Sequence, residues 1–338
     1  MLYFYTLYTA LIILINIYFK KKKFLSNYTG DHHQLFSNTK NIPLLGGIFL
    51  IVPLILINYE NYIYALLIIF ASLIGIFSDT KILVSPKKRF LFQIFLIFFS
   101  VIFLNLEILS SRVMFFDNLL EEKIFNIFFT SFCMLVLLNG SNFIDGLNGL
   151  LITYVSIVII MLFKLNLISE FSLHEDQIKY LIFFLLILNI LNFCNLLMLG
   201  DTGAYILSFF VGFLIISCHK LNPYISPYFF ITIIWYPCYE NLFSIIRKLK
   251  SDSSPLNPDN KHLHQLLYLV VKKNYIKNSL FANNTSSLII NIVNLAIIYV
   301  SSMNPYSSIY QITLIIISLI IYTAVFTLLK NKMKNHEY

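Results

Sequence analysis

Long apolar runs separated by short polar segments constrain this chain more than any other sequence feature. Of its residues, 58% are hydrophobic and only 12% are charged, whereas about a quarter of the residues of a soluble domain are charged. The composition therefore predicts an all-α polytopic membrane protein with about eleven transmembrane helices. Several of the runs are short against the roughly 20 residues that an upright span needs. The candidate spans are residues 2–19, 43–58, 62–77, 90–106, 124–138, 150–165, 179–199, 204–218, 228–246, 286–303 and 309–328.

The distribution of basic residues predicts the orientation of these spans. The first span is followed at once by Lys20, Lys21, Lys22 and Lys23, and the positive-inside rule places such a cluster in the cytoplasm. With alternation from this anchor, 19 of the 24 Lys and Arg residues lie in cytoplasmic segments. We therefore expect a single membrane domain, 1–338, with its N-terminus outside and its C-terminus in the cytoplasm. The expected cytoplasmic segments are about 20–42, 78–89, 139–149, 200–203, 247–285 and the tail 329–338.

The unusual polar motifs of the chain all fall on this predicted cytoplasmic side. The central one reads Asn-Gly-Ser-Asn-Phe-Ile-Asp-Gly-Leu-Asn-Gly-Leu and occupies residues 139–150, between two apolar runs. Taken alone, it is also consistent with an ordinary turn between two helices. Four further motifs lie on the same face, at residues 40–47, 75–79, 199–203 and 257–264. Five polar segments on one face predict a single active site at the cytoplasmic surface.

The residue types in these motifs suit a polyanionic substrate and a metal ion. Asp79, Asp145 and Asp201 stand at the ends of spans, and carboxylate oxygens are ligands that Mg²⁺ shares with substrate phosphates. Mn²⁺ is the alternative ion. Glycine pairs at 46–47 and at 200 and 203 leave room for a ligand to approach the backbone. Donors for phosphate oxygens are Lys40, His262 and His264, and amides that suit a nucleobase edge are Asn139, Asn142 and Asn148.

From about Lys40 to Leu266, the chain resembles the bacterial polyprenyl-phosphate N-acetylhexosamine-1-phosphate transferases of glycosyltransferase family 4. The resemblance is to the branch that initiates common antigen and O-antigen, which is related to the phospho-MurNAc-pentapeptide translocase. It implies that Lys40 contacts the phosphates of a nucleotide sugar and that Asp201, in a Gly-Asp-x-Gly motif, is a Mg²⁺ ligand. The other matching positions are Pro43, Gly46, Gly47, Asp79, Asn139, Asn142, Asp145, Gly146, Gly149, Asn192, Gly200, Gly203, His262 and His264.

Two positions depart from the family pattern. Ser78 stands where the first residue of an Asp-Asp pair is expected, and Asn148 replaces the second Asp of the central motif. Asp79 and Asp145 are therefore the expected catalytic carboxylates. Ser78, Asn148 and Asn192 are expected to contact substrate or phosphate.

Several of these residues could instead have a purely structural role. Asp201 could cap the helix that follows it. His262 and His264 would diverge by about half a turn if they lay on a helix, and a structural Zn²⁺ site with His32 and His33 is an alternative. Glu240, inside the ninth span, is either functional or a hydrogen-bonding residue between helices, and we leave it outside the site.

The resemblance implies transfer of a sugar 1-phosphate from a UDP-sugar to undecaprenyl phosphate in the inner membrane, releasing UMP and initiating a cell-surface glycan. The expected donor is a UDP-N-acetylhexosamine or a derivative. Expected partners are the two substrates and membrane lipids, without nucleic acid; the oligomeric state is open, a dimer being one option. Two alternatives stay open: a catalytically inactive relative that binds lipid or nucleotide sugar, and a polytopic transporter.

Overall fold

The computed structural model describes residues 2–22, 25, 42–168, 175–250 and 261–334. Fourteen α-helices make up most of this part of the chain, which contains no β-strand. The predicted all-α class is therefore confirmed. The helices are α1 (Leu2–Lys22), α2 (Gly46–Ile57), α3 (Tyr62–Asp79), α4 (Pro86–Phe103), α5 (Met114–Glu121), α6 (Lys123–Ile144), α7 (Leu150–Lys164), α8 (Glu175–Phe193), α9 (Gly200–Leu221), α10 (Pro227–Ile233), α11 (Trp235–Leu249), α12 (Leu263–Asn274), α13 (Ser279–Met303) and α14 (Ser308–Lys334).

Each of the eleven predicted spans overlaps a helix, but the helices differ in their ability to cross a membrane. Within the described residues, six helices are long and apolar enough to do so, and α10 with α11 would make a seventh span. The apolar helices α2 and α7 have only 12 and 15 residues. The total of eleven transmembrane helices therefore stays a prediction.

The ninth predicted span, 228–246, is broken into two helices. α10 and α11 meet at 77°, and Pro237 lies in the first turn of α11. A proline is tolerated there because the first N–H groups of a helix have no partner within it. The chain can thus start a new helix in a new direction within one apolar run.

α9 is the central helix of the bundle. It is contacted by α2, α3, α6 and α7, and 83% of its most apolar stretch is buried, against 17% for α14. Small residues such as Gly203, Ala204, Ser208 and Gly212 lie along α9 and allow neighbouring helices to approach it. The isoleucine-rich α14 exposes most of its surface, as expected of a helix in contact with lipid.

The start of α9 packs against two other helices through glycines. A Cβ atom on Gly47 of α2 would lie 2.2 Å from the backbone nitrogen of Gly203, and one on Gly75 of α3 would lie 2.2 Å from Cα of Thr202. The space beside Gly46 is occupied in the same way, since a Cβ atom there would lie 2.9 Å from the carbonyl oxygen of Met198. The prediction that Gly46 and Gly47 admit a ligand is wrong, because the residues just before α9 and the first turn of α9 occupy the space beside them.

Helical structure extends into several of the predicted cytoplasmic segments, whose limits at the membrane stay a prediction. α6 continues to Ile144, so Asn139 and Asn142 lie on a helix and not in a loop beginning at residue 139. Apolarity ends at Leu138, but the helix can continue because Gly140 packs on the backbone of Pro237 in α11. Beyond Leu138, α6 is thus stabilised by packing on α11, whereas the sequence prediction of its end depended on apolar residues that contact lipid.

Two other predicted loops contain helical residues. Residues 200–203 form the first turn of α9, and the predicted loop 247–285 contains α12 and the beginning of α13. α12 is amphipathic and short, with polar residues every few positions, so it does not produce an apolar run. Residues 251–260 of that loop lie outside the described part of the chain.

Candidate active site

The predicted site residues that the structure describes lie mostly at the ends of helices that meet at the start of α9. α3 ends with Ser78 and Asp79, α6 is followed by Asp145, and α9 begins with Gly200 and Asp201. The histidines lie at the start of α12. Lys40, and with it the alternative zinc ligands His32 and His33, lie outside the described residues.

Asp79 caps the first turn of α9 from a different helix. Its Oδ1 accepts a hydrogen bond from the backbone N–H of Asp201 at 2.8 Å. Its Oδ2 accepts from the N–H of Thr202 at 3.1 Å and from the Thr202 hydroxyl at 2.6 Å. A carboxylate at this position also interacts favourably with the positive end of the helix dipole. Asp79 therefore fixes the backbone that carries Asp201.

This arrangement rules out the alternative in which Asp201 caps α9. The residue at the N-cap position is Leu199, which makes no side-chain cap, and Asp201 lies inside the first turn. Gly200 has φ +71°, and a Cβ atom there would lie 2.6 Å from Oδ2 of Asp79. The glycine is thus required both by its backbone conformation and by the approach of the Asp79 carboxylate.

Asp201 forms an ion pair with Arg89, a residue that sequence analysis did not assign to the site. Nη1 of Arg89 donates to Oδ2 of Asp201 and to Oγ of Ser78, each at 2.9 Å. The Ser78 hydroxyl also donates to Oδ2 of Asp201. The Arg89 and Asp201 side chains are 29% and 26% exposed, so a solute can reach them. The only sequence signal for Arg89 was its place in the basic run 87–89, which does not distinguish it from its lysine neighbours.

Asp145 completes a group of three neighbouring carboxylates. It is the C-cap residue of α6 and is partly exposed. Burial, followed by the negative charges of Asp201 and Asp79, raises the pKa of Asp145 well above its ordinary value. Binding of a proton or of a cation between Asp145 and Asp201 would therefore relieve the repulsion among these carboxylates.

The two histidines are stacked on each other rather than diverging. Their ring centroids are 5.6 Å apart with an angle of 12° between the planes. The divergence expected for two residues on one helix does not arise, because His262 is the N-cap residue of α12, with extended backbone, and only His264 has helical backbone. Nδ1 of His262 lies 2.9 Å from Oε1 of Glu240, so Glu240 contacts a predicted site residue.

His264 connects the histidine pair to the central motif. It is fully buried, and a Cβ atom on Gly146 would lie 2.5 Å from its Nε2. Within the described residues neither of its ring nitrogens has a hydrogen-bond partner. Burial, which outweighs the opposing charge of Glu240 and is aided by His262, lowers the pKa of His264 to about 3. The ring is therefore neutral and lies against the residue that follows Asp145.

The predicted asparagines hold protein segments together. The side-chain amide of Asn148 donates to Oδ1 of Asn195 at 2.7 Å, and its backbone N–H donates to Oδ1 of Asn283 at 2.8 Å. Asn192 accepts from the N–H of Gly149 and donates to the carbonyl of Leu197 at 2.7 Å. Both side chains are buried, and a direct contact with substrate stays a prediction for them.

The remaining asparagines, Asn139 and Asn142, lie in the last turns of α6, just before its C-cap residue Asp145. Asn139 is partly buried and donates to the carbonyl of Leu135 at 2.9 Å. Asn142 is also partly buried. Asn139, Asn142 and Asp145 follow one another at intervals of three positions, so Asn142 lies on the same side of α6 as each of the other two.

A divalent cation can be tested against these donors. The described part of the chain contains no group of three His, Cys, Asp or Glu side chains that could hold a metal ion. Both oxygens of Asp79 already accept hydrogen bonds from α9. Asp201 and Asp145 remain as two neighbouring carboxylates, and Mg²⁺ is usually held by one or two protein carboxylates together with substrate phosphates. The donor set therefore fits Mg²⁺ that is bound jointly with a phosphorylated substrate.

A family model matches the part of the chain that contains the carboxylates. The model of glycosyl transferase family 4 matches residues 61–219. This range contains Ser78, Asp79, Asp145 and Asp201, whereas the two histidines follow it. Three carboxylates of the site thus lie within the region that the family shares.

Similar proteins carry one name. The undecaprenyl-phosphate alpha-N-acetylglucosaminyl 1-phosphate transferase of Escherichia coli O157:H7 is 26% identical over 196 residues, 56% of this chain and 53% of that protein. The protein of that name from Thermotoga maritima is 24% identical over 253 residues, 75% of each. The one from Salmonella typhi is 24% identical over 238 residues, 67% of this chain and 65% of that protein.

The chain spans about half of the length of the first of these relatives. The matched region includes the three carboxylates, the glycines beside them and Asn192, whereas Lys40, Gly46, Gly47 and the two histidines of the resemblance lie outside it. These comparisons support the predicted resemblance: residues 61–219 match the model of glycosyl transferase family 4, and the similar proteins are named undecaprenyl-phosphate alpha-N-acetylglucosaminyl 1-phosphate transferases.

Proposed function

We propose that this chain transfers a sugar 1-phosphate from a UDP-sugar to undecaprenyl phosphate, and that it does so at the helix ends around Asp201. The observation that carries the proposal is the convergence of Asp79, Asp145 and Asp201 with Arg89 at one end of the bundle. Such a site can hold a diphosphate through a shared cation while a lipid tail lies along the membrane. The names of the similar proteins support undecaprenyl phosphate as acceptor and an N-acetylhexosamine as sugar.

Mg²⁺ is the proposed cofactor, with Mn²⁺ as an alternative. Asp201 and Asp145 would hold it, and it would supply charge neutralisation and Lewis acidity to the diphosphate. Among the described residues the two carboxylates have no third His, Cys, Asp or Glu ligand beside them, and such a pair suits an ion that enters together with its substrate. Arg89 provides a positive charge beside Asp201. We expect its guanidinium to turn to a phosphate when the cation binds, because it is partly exposed and presents several donors.

The proposed reaction is direct attack by the lipid phosphate. An oxygen of undecaprenyl phosphate attacks the β-phosphorus of the UDP-sugar, and the bond to the α-phosphate oxygen breaks, so that UMP leaves with the bonding electrons. The nucleophile needs little activation, since a phosphate monoester with a second pKa of about 6 is mostly a dianion at pH 7. The protein's tasks are then positioning and charge stabilisation.

Asp79 is better placed to support this reaction than to form a covalent intermediate. Its two oxygens accept three hydrogen bonds from the first turn of α9. A carboxylate engaged in this way is stabilised and is a weaker nucleophile. Ser78 in place of a second acidic residue is compatible with direct attack, because its hydroxyl can contact a phosphate without carrying charge.

We place this end of the bundle in the cytoplasm of a bacterial inner membrane, where UDP-sugars occur. The basic residues at the ends of α1, α11, α12 and α14 support that orientation. A transporter is the less favoured alternative, because transporter sites lie near the middle of the bilayer, whereas these carboxylates lie at helix ends. An inactive relative that binds the same ligands is separated from an enzyme by assay.

The test is formation of a lipid-linked sugar by purified protein from labelled UDP-N-acetylglucosamine, undecaprenyl phosphate and Mg²⁺. Asp201→Asn should abolish turnover, because the amide keeps the shape of the carboxylate but not the charge that holds Mg²⁺. A panel of UDP-sugars identifies the donor. Absence of product with every donor, in the presence of binding, would identify an inactive relative.

A second measurement separates the two chemical schemes. Enzyme, Mg²⁺, UDP-sugar and labelled UMP are incubated without polyprenyl phosphate. A covalent sugar-phosphate enzyme would move label into UDP-sugar, whereas direct attack permits exchange only after lipid is added. Exchange without lipid at a rate comparable with turnover would refute direct attack.

A further inference from the structure

A buried carboxylate on α11 joins three helices next to the histidine pair. Oε1 of Glu240 lies 2.9 Å from Nδ1 of His262 and accepts from the N–H of Leu263 at 3.3 Å. Its Oε2 accepts a 2.6 Å hydrogen bond from the hydroxyl of Tyr322 on α14. Glu240 is 1% exposed and Tyr322 is 2% exposed. Both oxygens are therefore satisfied within the protein.

The histidine held by this carboxylate is linked by further contacts to the segment that carries Asp145. His262 packs between the ring of Phe143 on α6, with a centroid distance of 4.9 Å, and the ring of His264 at 5.6 Å. His264 in turn lies against Gly146, the neighbour of Asp145. A series of direct contacts thus connects Tyr322 and Glu240 to the loop that carries Asp145.

The chemistry of the contact selects one form of His262. A carboxylate only accepts hydrogen bonds, so the close Nδ1 must carry a proton, and a neutral ring then has its lone pair on Nε2. Without a fixed acceptor the proton could lie on either nitrogen. The histidine would then present the wrong atom to a ligand for part of the time.

We infer that Glu240 and Tyr322 are positioning residues of the transferase site, which fix the orientation and the protonated nitrogen of His262 so that its Nε2 side meets the donor substrate. This inference rests on the proposed function. Glu240 does not contact the reacting groups itself; it acts through His262. Tyr322 holds the second carboxylate oxygen and so prevents Glu240 from turning away.

The experiment compares matched variants in the lipid-linked sugar assay, with UDP-N-acetylglucosamine binding measured by calorimetry. Glu240→Gln keeps the volume but offers an N–H group, so it no longer fixes the proton of His262. We expect KM for the UDP-sugar to rise on the order of tenfold, as when an outer hydrogen-bond partner of a ligand-holding histidine is removed. kcat should change less, and Tyr322→Phe should give a smaller rise.

Tyr239→Phe is the matched control. The Tyr239 hydroxyl forms a 3.0 Å hydrogen bond to Thr323 between the same two helices, but it does not contact Glu240. The control should keep wild-type KM and kcat. A defect in Tyr239→Phe equal to that in Tyr322→Phe would show that any loss of an α11–α14 hydrogen bond is harmful and would overturn the inference.

A double-mutant cycle separates action through His262 from general stability. If Glu240 acts through the histidine, Glu240→Gln adds no further loss to His262→Asn, and the coupling equals the whole effect of Glu240→Gln. Independent, multiplicative losses would overturn the inference. Should Glu240→Gln fail to fold, the cycle is run with Tyr322→Phe, and multiplicative losses there have the same meaning.

The wild-type protein distinguishes this failure from failure of the proposed function. A wild type that neither binds nor converts any UDP-sugar refutes both. A wild type that binds but does not convert the donor still allows the cycle to be read from affinities. An active wild type with independent Glu240 and His262 effects refutes the positioning role alone.

Discussion

The contact between α6 and α11 gives the sharpest prediction of what the fold does for the site. A Cβ atom on Gly140 would lie 2.0 Å from the carbonyl oxygen of Pro237 and 2.6 Å from its carbonyl carbon. Ordinary contact begins at 3.4 Å, so the shortfall is about 1.4 Å. The neighbour is backbone and cannot rotate away as a side chain would. Gly140→Ala must therefore move the two helices apart.

Two free-energy terms oppose each other in this variant. Alanine in place of a helical glycine favours the helix by about 1 kcal/mol. Overpacking of a filled interface costs about 1–3 kcal/mol, and contact with backbone favours the upper end of that range. We expect a net loss of stability of about 2 kcal/mol, visible as a lower midpoint of thermal unfolding in detergent.

Gly140→Ala should lower kcat/KM more severely than it lowers the free energy of unfolding. α6 leads to Asp145, and α11 carries Glu240, the partner of His262. A displacement of about 1 Å between catalytic groups can cost on the order of 100-fold in rate. The measurement is kcat/KM for lipid-linked sugar formation at a temperature where the variant is folded.

Gly212→Ala is the control for this prediction. Gly212 lies on α9 and also faces α6, but a Cβ atom there would lie 3.1 Å from Cε of Met134, the flexible end of a side chain. It should change stability and activity little. A Gly140→Ala protein with wild-type stability and activity, or equal damage in both variants, would refute the reasoning.

Three further predictions concern charge. Asp145→Asn should lose turnover yet unfold at a higher temperature than wild type in metal-free buffer at pH 7. Burial and two carboxylates raise the pKa of Asp145, so the stability of the wild type falls as pH rises above the ordinary pKa range of aspartate. Below that range the wild type and the variant should unfold at the same temperature. Equal unfolding temperatures at pH 7 would contradict the proximity of the carboxylates. Arg89→Gln should lower kcat/KM for the lipid phosphate on the order of tenfold through loss of a charged donor, whereas Arg89→Lys should recover part of it; unchanged kinetics would exclude Arg89 from phosphate binding. A cysteine at position 117, in a chain whose own cysteines are replaced, should react with an impermeant thiol reagent on intact cells, and one at position 21 should not; the reverse pattern would overturn the proposed orientation.

The carboxylates of the site could be predicted from the sequence because each stands at an abrupt change from apolar to polar residues. Asp79 and Asp201 lie at such changes, as does Asp145. Their functions could not be separated in the same way. Only the structure shows that Asp79 caps α9 while Asp201 pairs with Arg89, since these contacts join positions more than 100 residues apart.

Asparagines and glycines illustrate the opposite case, because their residue types suggested ligand contacts but did not reveal the protein contacts that the structure shows. Asn148 and Asn192 satisfy the backbone and side chains of neighbouring segments, and Gly47 admits the backbone of α9. An amide or a bare Cα serves a ligand and a second helix equally well. Composition at one position cannot distinguish the two.

The sequence by itself determined the class of the protein, the approximate positions of its helices and the candidate carboxylates, because hydrophobicity and turn residues act over a few neighbouring positions. Tertiary structure decided which helix ends meet, where α6 ends, how the apolar run at 228–246 breaks, and that Glu240 holds His262. Each of these depends on packing between segments distant in the chain. A buried hydrogen bond such as that between Glu240 and His262 is stable only because water is excluded from both groups, and no local pattern in the sequence records which helices exclude it.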